Sequence, residues 1–213
     1  MNASDNLRTA VGERIRESII SGDFAPGSRI NESQLSVAYG VSRTPLREAL
    51  FTIERLGLLR SDPRRGFFVT PLSAREVREL YPLGRALDLL AVRTAGEMPP
   101  AAVARLADIN AAFRSKRSDP HAAQLADRCF HRAIVDRCPN RRLMTMLESV
   151  QAGLERYERM YMSDADDVDR SAAKHDEIVE AFRHDDLDRA ERVLGHVWDY
   201  SARRLLVALG EQP

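Results

Sequence analysis

The sequence predicts a mostly α-helical protein with two domains. Apolar residues recur at spacings of three and four along most of the 213-residue chain, which is the period of amphipathic helices. Two short helical patterns meet at a glycine-containing turn, and a single hairpin pattern follows them. From residue 73 onward the strand patterns disappear. We therefore expect a winged helix-turn-helix over residues 1–70 and an all-α bundle of about six helices over residues 73–213.

Local start and stop signals place the elements of the first domain. Gly40 closes a short helix, and Ser42 can cap the helix that follows it, because serine is favoured before a helix and glycine after one. Two apolar segments then flank a loop rich in turn residues, as two strands of a hairpin do. The predicted elements are helices over 7–20, 32–39 and 43–56, followed by strands at 58–60 and 67–70.

Helical patterns fill the second domain. They are separated by proline pairs and by short runs of turn residues. An acidic stretch at residues 163–169 is predicted to be a solvated loop, since it lacks the glycine and terminal glutamate of a calcium-binding loop. The predicted helices cover 73–96, 101–117, 121–138, 141–162, 172–184 and 186–209.

Composition limits the classes of function. The chain has 32 basic and 32 acidic residues, so no overall field indicates a nucleic-acid or membrane partner, and any such partner must be recognised locally. All basic residues except Lys116 and Lys174 are arginine. The number of arginines in a segment therefore does not locate a binding site. Without a secretory signal or a bilayer-spanning apolar run, we expect a cytoplasmic protein with reduced thiols and no membrane partner.

The start of the third helix has the side chains that a DNA-reading helix requires. Arg43 and Arg47 are four positions apart and therefore neighbours on one face, where either guanidinium can bind guanine or a phosphate. A basic hairpin tip can reach the adjoining groove or backbone. The alternative is that these are ordinary surface arginines. The predicted DNA-binding residues are Ser42, Arg43, Thr44, Arg47, Arg64, Arg65 and Gly66.

The same residues carry a family resemblance. Residues 26–32 (PGSRINE), 41–50 (VSRTPLREAL), 56–59 (LGLL) and 65–66 (RG) resemble the N-terminal domain of GntR-family bacterial transcription regulators. The resemblance implies a homodimer that places two recognition helices on a palindromic operator. It also implies that Arg43, Thr44 and Arg47 contact operator bases and backbone, with Gly66 at the tip of the wing.

Four side chains of the second domain are candidate metal ligands. Asp127 and His131 are four positions apart on one predicted helix, and Asp127 falls within its apolar stripe. A buried carboxylate needs a cation, a donor or a metal to offset its desolvation. His175 also points inward, whereas His196 lies beside Tyr200 at the edge of an apolar stripe. Hydrogen-bonded core histidines and a simple Asp127–His131 ion pair remain as alternatives.

A second resemblance favours the metal site. Residues 73–209 resemble the FCD ligand-binding domain of the FadR-type GntR branch, through Asp127-x-x-Phe130-His131, residues 174–178 (KHDEI) and Gly195-His196. In metal-containing members of that branch, an aspartate and three histidines bind a divalent ion, and a small carboxylate effector completes the coordination. The resemblance thus implies Asp127, His131, His175 and His196 as ligands. This donor set suits zinc best, and nickel, manganese or iron are also compatible.

An arginine facing the effector can bind its carboxylate bidentately. Arg85 matches a frequently basic position of the family and is our candidate, with Tyr81 one turn before it on the same predicted helix. Arg85 can instead be solvated or lie at a dimer interface. Cys129 is predicted to be a small packed thiol on the opposite flank of its helix from His131.

Together these patterns predict a non-enzymatic transcription regulator, in which a small organic acid bound at the metal changes operator affinity. We expect a repressor, although the sequence does not reveal which state the effector prefers. Two rivals remain. In one, the metal ion is itself the signal. In the other, the site is a metal-dependent hydrolase, against which stands the lack of a general base beside the proposed ligands.

Overall fold

The computed structural model describes residues 3–161 and 165–211, including their side chains except at residues 3–6, 120 and 158–161. The chain divides into two compact units, Met1–Leu72 and Ser73–Pro213. The described part is mostly helical, as the sequence predicts. None of its helices combines the length and hydropathy needed to cross a bilayer.

The N-terminal unit is a winged helix-turn-helix. Its turn ends α2 at Gly40, whose φ of 64° is the left-handed conformation that glycine adopts without strain. The strands pair antiparallel, from Leu59 opposite Val69 to Asp62 opposite Gly66. Its elements are α1 (Ala3–Ile20), α2 (Glu32–Tyr39), α3 (Arg43–Arg55), β1 (Leu59–Asp62) and β2 (Gly66–Val69).

One face of α3 anchors it to this unit. Leu46, Ala49, Leu50 and Ile53 are buried at helical spacing and join a core that includes Ile15 of α1. Burying a leucine or isoleucine side chain stabilises a fold by about 1.5–3 kcal/mol. The apolar face therefore fixes the orientation of α3 and leaves its polar face outward.

The C-terminal unit is built from six helices in the described residues. Phe113, Phe130, Leu147 and Ile178 are fully buried and come from four different helices. Helix α4 packs against α7 and α9, and α5 packs against α6 and α8. The helices are α4 (Ala74–Ala95), α5 (Pro100–Arg114), α6 (Pro120–Val135), α7 (Arg141–Tyr161), α8 (Ala165–Arg183) and α9 (Leu187–Ala208).

The acidic stretch at 163–169 is not simply a solvated loop. Helix α8 already begins at Ala165 and has Asp166 and Asp167 in its first turn, where the helix dipole favours negative charge. Asp167 is buried and accepts a hydrogen bond from Arg204 Nη2 at 2.7 Å. The sequence prediction is wrong for these residues, while Ser163 and Asp164 lie outside the described part of the chain.

Candidate functional site

The outward face of α3 presents the polar residues that the sequence predicts for DNA reading. Arg43 and Thr44 are exposed in the first turn. Ser42 is the N-cap residue, but its side chain makes no capping hydrogen bond. Its hydroxyl thus stays at the surface beside the first-turn N–H groups, which favour a phosphate.

Contacts with α2 orient both arginines. Arg47 Nη1 lies 3.4 Å from Glu32 Oε2, and the Arg47 guanidinium lies 5.8 Å from the ring centroid of Phe51. Arg43 Nη2 donates to Ser33 Oγ at 3.4 Å. These contacts hold both guanidinium groups on one side of α3, next to the start of α2.

The wing places the remaining basic residues on a tight turn. Asp62 Oδ1 accepts hydrogen bonds from the backbone N–H groups of Arg64 and Arg65, at 2.9 and 3.1 Å. Gly66 has a φ of 85°, which a residue with a Cβ adopts only under strain. The side chains of Arg64 and Arg65 are both exposed, and the Arg65 guanidinium lies over the ring of Phe68.

A cluster of three potential metal ligands lies inside the C-terminal unit. Asp127 and His131 come from α6, and His175 comes from α8. Asp127 Oδ1 lies 3.4 Å from His175 Nε2, and Asp127 Oδ2 lies 3.7 Å from His131 Nε2. Atoms bound to one zinc ion at ~2.0–2.2 Å lie ~3–3.6 Å apart. The cluster thus requires only small side-chain adjustments to hold an ion.

Unsatisfied atoms show that the cluster suits a cation. Asp127 Oδ1, His131 Nδ1 and His175 Nε2 are buried without a hydrogen-bond partner. Such orphaned polar atoms are costly, and Asp127 Oδ1 and His175 Nε2 face each other. A metal ion between them would satisfy both.

Asn110 of α5 determines which nitrogen of His175 is available. Its Nδ2 donates to the Ala172 carbonyl at 2.9 Å and to Asp176 Oδ1 at 2.7 Å. The amide oxygen of Asn110 therefore faces His175 Nδ1, at 3.0 Å. Because an amide oxygen only accepts, the proton of a neutral His175 is on Nδ1 and its Nε2 lone pair points toward Asp127.

Burial sets the protonation of the cluster. It lowers the pKa of His175 well below its ordinary value and also lowers that of His131, so both rings are neutral, as ligands must be. Burial raises the pKa of Asp127 to about 7. A second buried carboxylate, Asp88 of α4, partly counters the effect of burial on the pKa of His131.

His196 departs from the sequence prediction. The structure places it on the exposed side of α9, where it lines a separate cavity of about 200 Å³ with Arg170 and Tyr200. The residues of α9 that face inward include Leu194, Trp198 and Leu205. The four-ligand set therefore becomes a cluster of three in the described structure.

A cavity of about 720 Å³ opens onto this cluster and is lined by Asp127 and His131. Tyr81 also lines it, with its ring edge-to-face on Trp198 at a centroid distance of 5.6 Å. Arg85 is not among the described residues that line this cavity. Arg85 Nε instead lies 3.2 Å from Asp199 Oδ1, and the guanidinium rests against Gly195. The predicted effector contact of Arg85 is not part of this geometry.

Sequence reasoning missed several residues of this site. Asn110 occupies an otherwise apolar stripe of α5 with Val103, Leu106 and Phe113, and a polar residue in that setting was a usable signal. Trp198 is the single tryptophan of the chain and lines the cavity. Cys129 is exposed and lines the same cavity, so the prediction of a packed thiol is wrong.

The chain combines a helix-turn-helix that exposes arginines with a helical unit that contains a ligand-sized cavity. This combination is typical of DNA-binding transcription regulators. Comparison with known families agrees. The profile of the bacterial regulatory proteins of the gntR family matches residues 7–69, and the FCD domain profile matches residues 79–199. The chain therefore belongs to the GntR family and has an FCD domain. It is a transcription regulator and not an enzyme.

Individual relatives support this assignment. The HTH-type transcriptional regulator YdhC of Bacillus subtilis is 37% identical over 142 residues, which are 64% of this chain and 63% of that protein, slightly under two thirds of its length. A probable D-xylose utilization operon transcriptional repressor of Paenarthrobacter nicotinovorans is 28% identical over 89% of this chain and 86% of its own. The structure of E. coli McbR/YncC has the same fold, with a TM-score of 0.82 at 20% identity, covering 98% of this chain and 99% of that chain.

Proposed function

We propose that this protein is a repressor that binds a palindromic operator as a homodimer. It releases the operator when a carboxylate effector binds a metal ion held by Asp127, His131 and His175. The observation that carries the proposal is the cluster of Asp127, His131 and His175, in which Asp127 Oδ1 and His175 Nε2 are buried without hydrogen-bond partners. Asp127 and His131 also line a ligand-sized cavity. A bound divalent ion would supply Lewis acidity and positive charge for an effector carboxylate.

The residues of the chain have separate tasks in this proposal. Asp127, His131 and His175 bind the ion, and Asn110 orients His175. Tyr81 and Trp198 form part of the wall against which an effector lies. In the other unit, Arg43 and Arg47 contact bases or phosphates and the basic wing contacts the backbone.

Effector control requires that the two DNA-bound subunits change their spacing or orientation. An effector shifts the protein toward the state that it binds more tightly. Two half-sites on a duplex have a fixed helical phase. An effector-bound state that displaces the recognition helices is therefore expected to bind the operator more weakly.

The test begins with selection of a preferred duplex from a random pool by the metal-loaded protein. Fluorescence anisotropy then measures affinity for that duplex with added metal, with a chelator and with candidate organic acids. We expect one metal equivalent per chain by elemental analysis, and weaker DNA binding when an acid is present. DNA affinity that follows metal concentration alone would establish the ion as the signal, and the absence of bound metal would overturn the proposed site.

A further inference from the structure

We infer that the effector is a monocarboxylate with an aromatic or branched aliphatic body, and not a small polycarboxylate of the citrate type. The inference rests on the proposed function, because it places the single carboxylate of the effector on the metal ion held by Asp127, His131 and His175. Size, wall chemistry and charge in the cavity support it independently of one another.

The cavity is much larger than an acid group requires. Its volume is about 720 Å³, which is within the ~300–1,000 Å³ range of pockets that enclose drug-sized ligands. The metal cluster occupies only one part of the wall. A ligand anchored there by its carboxylate would extend into the remaining space.

Polar and apolar residues both line the rest of the wall, but most of the surface that the wall exposes to the cavity is apolar. Trp198 and Tyr81 form an edge-to-face pair, and Leu154 is buried next to them. Leu125 lines the cavity with 45% of its surface exposed, although a leucine gains free energy when it is covered. An aromatic or branched body would cover these surfaces, whereas a second carboxylate against them would lose hydration without compensation.

Two of the three arginines that line the cavity are paired with carboxylates. Arg128 Nη1 lies 2.5 Å from Glu155 Oε1, another residue of the wall. Arg132 donates to Asp136 at 2.5 Å and to Glu148 at 3.0 Å. Arg105 is exposed, where solvent screens its charge. Among the described residues of the wall, the metal-binding residues Asp127 and His131 therefore mark the favoured position for an anionic group.

The test is a titration of the metal-loaded, full-length protein, followed by the fluorescence of Trp198, its single tryptophan. The probes are 3-phenylpropionate, 3-phenylpropanol, acetate and citrate. We expect 3-phenylpropionate to bind at least tenfold more tightly than each of the others. It should also slow alkylation of the exposed Cys129 by iodoacetamide, with the buried Cys138 as internal control.

Two matched variants separate the wall from the rest of the fold. Leu125→Ser is expected to weaken 3-phenylpropionate about tenfold with unchanged metal content. Leu90→Ser removes a leucine that is 53% exposed and outside this wall, and it should leave the affinity unchanged. Equal loss in both variants would contradict a role for the wall.

Failure of this inference differs from failure of the proposed function. Citrate binding more tightly than 3-phenylpropionate, with metal intact, would overturn the effector class and leave the metal site standing. Binding of 3-phenylpropionate that persists unchanged in a metal-free Asp127→Asn variant would overturn the anchoring of the carboxylate at the metal. A wild-type protein that binds no metal would overturn the proposed function itself.

Discussion

Asn110 Oδ1 and His175 Nδ1 lie 3.0 Å apart in a buried contact between α5 and α8. Both hydrogens of the Asn110 amide group are engaged elsewhere, so the geometry allows one tautomer of a neutral His175. A residue of α5 thus determines which nitrogen of His175 faces Asp127 of α6.

This contact predicts that Asn110→Ala lowers metal affinity by ~10–100-fold, the usual effect of losing a partner behind a metal-binding histidine. Asn110→Asp keeps an acceptor for His175 Nδ1 but places a carboxylate oxygen next to Asp176 Oδ1 and the Ala172 carbonyl, so its metal affinity should fall between those of Asn110→Ala and wild type. Competition with a chromophoric chelator measures both, and ¹⁵N chemical shifts of the His175 ring report its tautomer. Equal metal affinity in Asn110→Ala and wild type would remove this role from Asn110.

The position of His196 leads to a second prediction. His175→Gln should lose bound metal, because His175 Nε2 faces Asp127. His196→Gln should retain about one equivalent per chain, because His196 lines a different cavity. Elemental analysis of the two purified variants distinguishes the cases. Loss of metal from His196→Gln would restore the four-ligand site that the sequence resemblance implies.

For DNA reading, Arg47→Ala is expected to weaken binding to the selected duplex by ~5–150-fold, corresponding to the ~1–3 kcal/mol of a bidentate arginine contact with guanine. The control is Arg55→Ala, since Arg55 lies at the opposite end of α3 and contacts Thr52. Anisotropy titrations at several salt concentrations measure both variants. The same loss of affinity in both would indicate a general effect of positive charge.

Gly84 tests the packing beside the cavity. An added Cβ at Gly84 would lie 2.6 Å from Trp198 Cη2, so Gly84→Ala forces the indole to move. We expect a loss of ~1–3 kcal/mol in the free energy of unfolding and a shift in Trp198 emission. Gly12→Ala in α1 is the matched control, because its Cβ meets only Ala49 Cβ at 3.8 Å. Chemical denaturation followed by circular dichroism compares the two, and an unperturbed Gly84→Ala protein would contradict this packing.

Local patterns predicted the helices and the hairpin because each depends on spacing within a short window. The inward direction of His175 follows in the same way from the stripe of Ile178, Val179 and Phe182 around it. The acidic start of α8 was missed because composition favours a loop there, whereas the helix dipole and Arg204 stabilise the first turn.

Contacts between residues far apart in the chain were harder to predict from the sequence. Asn110 and His175 are 65 positions apart, and no spacing rule relates them. His196 lies at the edge of an apolar stripe, where the 3.6-residue period does not determine whether a side chain faces inward. In the structure, the large ring of Trp198 occupies the inward position two residues later.

The three-residue cluster also has a mechanical consequence. Asp127 and His175 lie 48 positions apart in the chain, so an ion bound to both acts as a removable cross-link that closes a long loop. A covalent cross-link that closes a loop of that length lowers the conformational entropy of the unfolded chain, which raises its free energy by about 4 kcal/mol. Metal loading would then govern how long the C-terminal unit survives heat and proteolysis, and therefore how much regulator persists to occupy its operator.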